Sequence, residues 1–123
     1  MSDPQTLVAR YLAPWNETDP TARQALLAAA WHDNATYVDP LAHVAGHAEL
    51  DGLIAAVQAQ FTGLRFRAAG TPDAHHDHLR FRWELATPDG TAVASGTDVA
   101  ILADDRFVAV IGLIDAMPAA AMA

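Results

Sequence analysis

The hydrophobic period of this chain changes once, at Gly63, and that change limits its fold more than any other feature. Before Gly63 apolar residues recur at helical intervals, and after it they alternate. In a helix, side chains three and four apart share a face; in a strand, every second one does. A helical first half followed by a strand-rich second half implies an α+β domain, with helices layered on antiparallel strands.

Asp3-Pro4 reads as a cap followed by a first-turn proline. Leu7, Val8, Tyr11, Leu12 and Trp15 then form an apolar stripe, and Pro14 is expected to end that helix. Asp19-Pro20 repeats the start signal. Leu26, Leu27, Ala30 and Trp31 form a second stripe, with Asn34 as the expected break. Ala35 to Val38 reads as a short strand closed by Asp39-Pro40, because a residue before proline is biased to the extended region. After a loop containing Gly46, the residues Leu50, Leu53, Ile54, Val57 and Phe61 give the most regular helical stripe.

Beyond Gly63, Leu64, Phe66 and Ala68 are expected to face inward and Arg65 and Arg67 outward. Leu79, Phe81, Trp83 and Leu85 alternate with His78, Arg80, Arg82 and Glu84, as in a half-buried strand. Pro88-Asp89-Gly90 and Asp104-Asp105 are turns, between strands over 92–102 and 107–114. The arginines are placed on the outer face, two of them within reach of Glu84. Residues 1–115 are read as one domain and 116–123 as a flexible tail.

A chain of 123 residues with 52% hydrophobic and 18% charged residues can bury a core of its own. Its net charge of −8 disfavours nucleic acid and anionic membranes as partners. The absence of cysteine removes disulfides, thiolate nucleophiles and thiolate metal sites. The N-terminal run lacks the basic and apolar regions of a signal peptide, and a cytoplasmic location is expected. No glycine-rich phosphate loop or nucleophile elbow is present, so any chemistry falls to carboxylates, hydroxyls and imidazoles.

Three polar residues sit in apolar surroundings. Tyr11 lies on the first helix stripe, either as a core tyrosine bonded to a carbonyl or as a donor into a pocket. Asp39 ends a buried strand, either as a turn residue or as a general base at a pocket mouth. Asp98 shares its strand face with Ala94, Gly96, Ala100 and Leu102. A charge there is costly, and the relief is an upward pKa shift or a position at an edge or interface, where it meets water or an arginine. His32, His43, His47, His75, His76 and His78 read as solvated loop residues. No metal and no cofactor is expected.

The order Arg10-Tyr11-Leu12, then Ala35-Thr36-Tyr37-Val38-Asp39-Pro40, then Thr97-Asp98-Val99 resembles the bacterial ketosteroid isomerases. More broadly, residues 4–115 resemble the SnoaL-like and nuclear transport factor 2-like superfamily. The resemblance implies a cone-shaped α+β barrel, with three N-terminal helices on a curved, mostly antiparallel sheet. It implies Asp39 as general base and Tyr11 with a protonated Asp98 as oxyanion donors. Ketosteroid isomerase is itself the standard case of a carboxylic acid kept neutral by an apolar site, and that logic carries over by analogy. The resemblance also implies that Phe81, Trp83, Ala100, Val110, Gly112 and Ile114 line the pocket, and that the outer sheet face packs against a second copy as a homodimer. The ligand class is an uncharged carbonyl compound, ketosteroid-like in the sharpest form. The alternatives are a hydrolase or dehydratase that brings His32, His43 or Arg82 into the pocket, and a non-catalytic ligand-binding or dimerisation module in which Tyr11, Asp39 and Asp98 do not converge.

Overall fold

The computed structural model describes residues 1–118. Helix α1 spans Pro4–Asn16 and α2 spans Pro20–Ala30. Both begin as the sequence predicts: Asp3 accepts the Thr6 N–H at 2.9 Å and Asp19 accepts that of Ala22 at 2.8 Å, with proline at the first helical position of each. Strand β1 (Trp31–Val38) and the short β2 (His43–Ala45) precede helix α3 (Gly46–Gln60). Strands β3 (Arg65–His75), β4 (His78–Ala86), β5 (Ala92–Ala103) and β6 (Arg106–Ala116) follow.

The six strands form one sheet in the order β2-β1-β6-β5-β4-β3. Of these pairs β1 and β6 run parallel, and the others are antiparallel. The three helices cover one face of this curved sheet, and the sheet does not close, so β2 and β3 remain edges. Leu7, Tyr11, Leu27, Trp31, Ile54 and Phe107 form the centre of the core between the layers. Arg23, only 4% exposed, ties α2 to α3 through Asp51 at 2.6 Å. No helix among the described residues is long and apolar enough to cross a membrane.

Several boundaries differ from the sequence reading, each for a physical reason. Pro14 does not end α1, which continues to Asn16. A proline in the last turn forfeits a single intrahelical bond, and Gln58 holds this turn from outside by donating to the carbonyls of Trp15 (3.0 Å) and Glu17 (2.8 Å). Trp31 begins β1 instead of closing α2. It is buried opposite Phe107, and a register shift between Trp31 and Thr36 lets the exposed Asp33 and Asn34 pass within the strand. Ala68 is exposed on the edge strand β3, whose register shifts again between Ala69 and Asp73. Strand β6 runs through Ala116, into the segment read as a tail, while residues 119–123 lie outside the described residues.

The turn chemistry follows the sequence. Asp104 and Asp105 both take positive φ, 53° and 62°, giving the two-residue hairpin whose twist matches that of the strands it joins. Aspartate tolerates that region because its short polar side chain can bond locally.

Candidate active site

Between α1, α3 and the concave face of the sheet lies a cavity of about 180 Å³. Helix α1 supplies Tyr11, Leu12 and Trp15; α3 supplies Leu53, Ala56, Val57 and Gln60; the sheet supplies Phe66, Trp83, Leu85, Ala94, Asp98 and Ile114. Leu41 and Met117 also line it. The half-buried state of Leu53, Val57 and Phe61, all on the regular stripe of the third helix, follows from facing this space instead of packed core. Among the described residues the lining contains no lysine, arginine or histidine, and its only charged side chains are Asp39 and Asp98.

Asp98 sits at the centre of the sheet, on β5, opposite Phe81 of β4 and Gly112 of β6. It is 1% exposed. Tyr11 donates to Oδ2 at 2.8 Å and the Trp83 indole N–H to Oδ1 at 3.0 Å. Burial pushes the Asp98 pKa up to about 6, against these two hydrogen bonds, which favour the ionised form, and with the negative charges of Asp39 and Asp115, which oppose it. Burial likewise raises the Tyr11 hydroxyl well above its ordinary range, with the Asp98 charge adding to the effect. Burial thus biases both groups toward their neutral, donor-capable forms.

Asp39 follows β1 at the cavity mouth and is half-buried. Its Oδ1 accepts the backbone N–H groups of Leu41 and Ala42, each at 2.8 Å, and its Oδ2 accepts the Tyr37 hydroxyl at 2.7 Å. Asp-Pro makes the turn, and the turn places the carboxylate at the cavity mouth. An Oδ2 with one donor keeps a second lone pair for an incoming proton. Burial raises the Tyr37 hydroxyl, followed by the charges of Asp98 and Asp39, so it too stays protonated.

Gly112 measures how closely these groups converge. A Cβ placed there would lie 3.1 Å from Asp98 Oδ1, 3.3 Å from the Asp39 Cβ and 3.3 Å from the Tyr37 hydroxyl. One point on β6 is therefore in contact with both carboxylate residues.

Of the residues expected to line the pocket, Trp83 and Ile114 face the cavity beside Tyr11, Asp39 and Asp98. Phe81, Ala100 and Val110 do not: they are 2%, 0% and 1% exposed and pack in the core beneath it. Strand parity puts them on the right face, but Phe81 stacks edge-on to Tyr11 at 4.8 Å between centroids, so that end of the cone is filled. Gly112 does not line the cavity itself but lies against Asp98, Asp39 and Tyr37, which do. Tyr11 bonds a carboxylate rather than a carbonyl, and Asp98 meets two hydrogen-bond donors in the interior rather than water or an arginine.

None of the histidines or outer-face arginines lines the cavity. His32 contacts the Ala103 carbonyl and His47 that of Trp31, while His75, His76 and His78 sit exposed on the β3–β4 hairpin. Among the described residues no group of three or more potential ligands could hold a metal ion. Arg67 pairs with Glu84 at 3.0 Å and Arg80 with Asp73 at 3.3 Å, both exposed. Sequence reasoning missed the Tyr37 hydroxyl and the indole N–H of Trp83. Tyr37 carried a signal, since it precedes Asp39 by two residues in an extended run and so shares its face.

Three helices on an open, curved, mixed sheet are the fold of the nuclear transport factor 2-like class of α+β cones. Within that class the chain belongs to the SnoaL-like domain family, whose pattern it matches over residues 8–110. It is similar to a candidate isomerase of the SnoaL-like family from Agrobacterium tumefaciens, at 43% identity and a TM-score of 0.88, covering 94% of this chain and 99% of that one. A nuclear transport factor 2-like protein of unknown function from an Exiguobacterium species shares the fold at 24% identity and a TM-score of 0.68, covering 89% and 98%. A protein with a ketosteroid isomerase-like fold from Catenulispora acidiphila, solved with trimethylamine, does so at 17% identity and 0.70, covering 90% and 85%. No curated protein sequence matches the chain significantly.

Proposed function

We propose that this protein catalyses an isomerase-type proton transfer on an uncharged, apolar carbonyl compound, of which a β,γ-unsaturated ketosteroid is the sharpest example. The observation that carries this reading is the meeting of Asp39, Tyr37 and Asp98 around Gly112, beside a cavity whose other lining residues are mostly apolar.

The chemistry needs a base, a donor for the oxyanion and a dry space. Asp39 Oδ2 takes the proton alpha to the carbonyl, and its electron pair moves to give a dienolate. Tyr11, backed by Asp98, donates to the developing oxygen charge; such donors act most strongly where water is excluded. Asp39 then returns the same proton at the gamma carbon, so the double bond moves into conjugation and no oxidant or cofactor is consumed. An anionic substrate would meet two carboxylates and no cation in the cavity, which is why the substrate is assigned as uncharged.

The protein's partner is assigned as a second copy of itself. On the outer sheet face, Ile111 (41% exposed) and Leu113 (55%) of β6 pair with Val99 and Thr97 of β5, and Arg80 and Arg82 of β4 flank them. Adjacent apolar side chains of this size gain from being covered.

The test is conversion of a β,γ-unsaturated ketosteroid to the conjugated enone, followed by ultraviolet absorbance, in wild type and Asp39→Asn. Loss of about 10²- to 10⁴-fold in the variant is expected from removing a general base. Absence of turnover in the wild type, or equal turnover in both, overturns the reading.

A further inference from the structure

We propose that Trp83 is a positioning residue: its indole N–H fixes the acidic proton of Asp98 on Oδ2, and this turns the Tyr11 hydroxyl hydrogen out of the Asp98 bond and into the cavity. This assigns a proton inventory to the site. Its catalytic use rests on the isomerase reading, but the hydrogen-bond geometry does not.

The argument begins with the register of the sheet. Trp83 on β4 pairs with Gly96 on β5, two residues from Asp98 on the same face. A diagonal neighbour of this kind is within reach of an aromatic side chain only if nothing stands between them. Nothing does, because residue 96 is glycine. A Cβ there would fall 2.3 Å from Cζ2 and 2.5 Å from Cε2 of the indole, inside its van der Waals surface. The ring therefore lies across Gly96 and presents Nε1 to Asp98 Oδ1 at 3.0 Å. Phe66 closes the other side of the ring, edge-on at 5.4 Å between centroids.

An indole nitrogen donates and never accepts. Oδ1 must therefore be an acceptor whatever the charge on Asp98, and because a carbonyl oxygen accepts better than a protonated one, a neutral Asp98 favours carrying its proton on Oδ2. Oδ2 faces the Tyr11 oxygen at 2.8 Å. With Asp98 ionised, Tyr11 donates to Oδ2 and its hydrogen is consumed there. With Asp98 neutral, the carboxyl donates to Tyr11, and the Tyr11 hydrogen is released to a ligand oxygen. Without the indole N–H, the proton is free to sit on Oδ1, and the neutral state no longer commits Tyr11 to the cavity.

The groups facing Asp98 come from three elements: Tyr11 from α1, Tyr37 and Asp39 from β1 and its end, and Trp83 from β4; Asp115 of β6, bonded to Thr97 on the outer face, acts on Asp98 through its charge. Asp39 and Asp115 both oppose ionisation of Asp98, so Trp83 and Tyr11 are the groups that favour the anion.

The experiment is a carbon-13 nuclear magnetic resonance titration of the full chain, observing the Asp98 carboxyl carbon and the Tyr11 ring carbon that bears the hydroxyl. Asp98→Asn assigns the first signal and Tyr11→Phe the second. In the wild type both signals are expected to move with one midpoint. In Trp83→Phe the Asp98 midpoint is expected to rise by about one pH unit, a tenfold change in proton affinity, because a bond to the anion is lost. The Tyr11 response at that midpoint is expected to shrink at the same time. If Trp83→Phe fails to fold, Trp83→β-(3-benzothienyl)alanine removes the N–H within the same ring shape.

An unchanged Asp98 midpoint in a folded variant, or a Tyr11 signal indifferent to Asp98 in the wild type, overturns the assignment. A purely structural Trp83 would lower stability and leave both signals in place. Coupled titration with no enone turnover in the wild type would sink the isomerase reading and leave Trp83 as the residue that sets the donor.

Discussion

Tyr37 and Asp39 lie two residues apart in an extended run, and the Tyr37 hydroxyl donates to Asp39 Oδ2 across 2.7 Å. One stretch of chain thus carries both the carboxylate at the cavity mouth and the donor that orients it. Tyr37→Phe removes that donor and leaves the ring. We expect an unfolding cost of about 1.5–3 kcal/mol, the range for a hydrogen bond to a charged group, measured by urea denaturation. We expect enone turnover to fall about tenfold through poorer orientation, with KM little changed. Unaltered kinetics would mean that the turn amides of Leu41 and Ala42 orient Asp39 by themselves.

Asp98 imposes a pH dependence on stability whose sign is fixed. Its folded pKa, about 6, stands above the ordinary value of 3.8. Between those two values the unfolded chain loses this proton and the folded chain keeps it, so stability falls as pH rises through about 4 to 6 and levels off above. The distance between the two values corresponds to about 3 kcal/mol. Asp98→Asn removes this contribution, so the stability difference between variant and wild type should grow in the variant's favour across that window. Asp3 and Asp89, held below the ordinary value by local hydrogen bonds, and Asp105, held below it by hydrogen bonds from Ser2, act in the opposite direction in both proteins and cancel in the comparison. Parallel pH profiles for the two proteins would show that Asp98 ionises normally.

Gly112→Ala places a methyl group where Asp98, Asp39 and Tyr37 converge, at contacts of 3.1–3.3 Å. Small displacements can absorb it, so a cost of about 1 kcal/mol is expected, at the low end for overpacking. The methyl nevertheless occupies the space between Asp39 and Asp98, and under the proposed mechanism turnover should fall about tenfold or more in a protein that melts cooperatively. Retained activity would place the reacting atoms elsewhere in the cavity.

Leu113→Glu sets a charge on the outer sheet face, because Leu113 follows Gly112 along β6 and successive side chains of a strand point to opposite sides. Light scattering should give twice the chain mass for the wild type and a single chain for the variant. A monomeric wild type would remove the second copy from the proposal.

Much of this was legible in the sequence because several signals agreed. The caps at Asp3 and Asp19, the third helix stripe and the alternation of β4 each combine a local preference with a burial pattern, and all three appear as expected. The errors fall where one residue satisfies two patterns. Trp31 completes a helical stripe and is equally well buried as the first residue of a strand, so periodicity alone could not separate them. The three-residue β2 is too short to show any period. In the site, Tyr11, Asp39 and Asp98 stood out as polar residues in apolar runs. Trp83 did not stand out as a donor, because an indole in an alternating strand looks like core until the partner of its N–H is known. Phe81, Ala100 and Val110 share the parity of the lining residues, and parity does not say how far along a strand the cavity extends.

The unclosed sheet has a consequence for self-association. An exposed strand edge is a template on which other chains can assemble into fibrils. Along β3 that template is interrupted twice. The side-chain amide of Asn16 occupies both backbone groups of Phe66, donating to its carbonyl and accepting its N–H at 2.8 Å each, as a neighbouring strand would. Further along, the register shift between Ala69 and Asp73 contains Pro72, which has no N–H to offer. At the other edge, β2 is only three residues long. The fold can thus leave its cone open for a ligand without leaving a continuous edge open to aggregation.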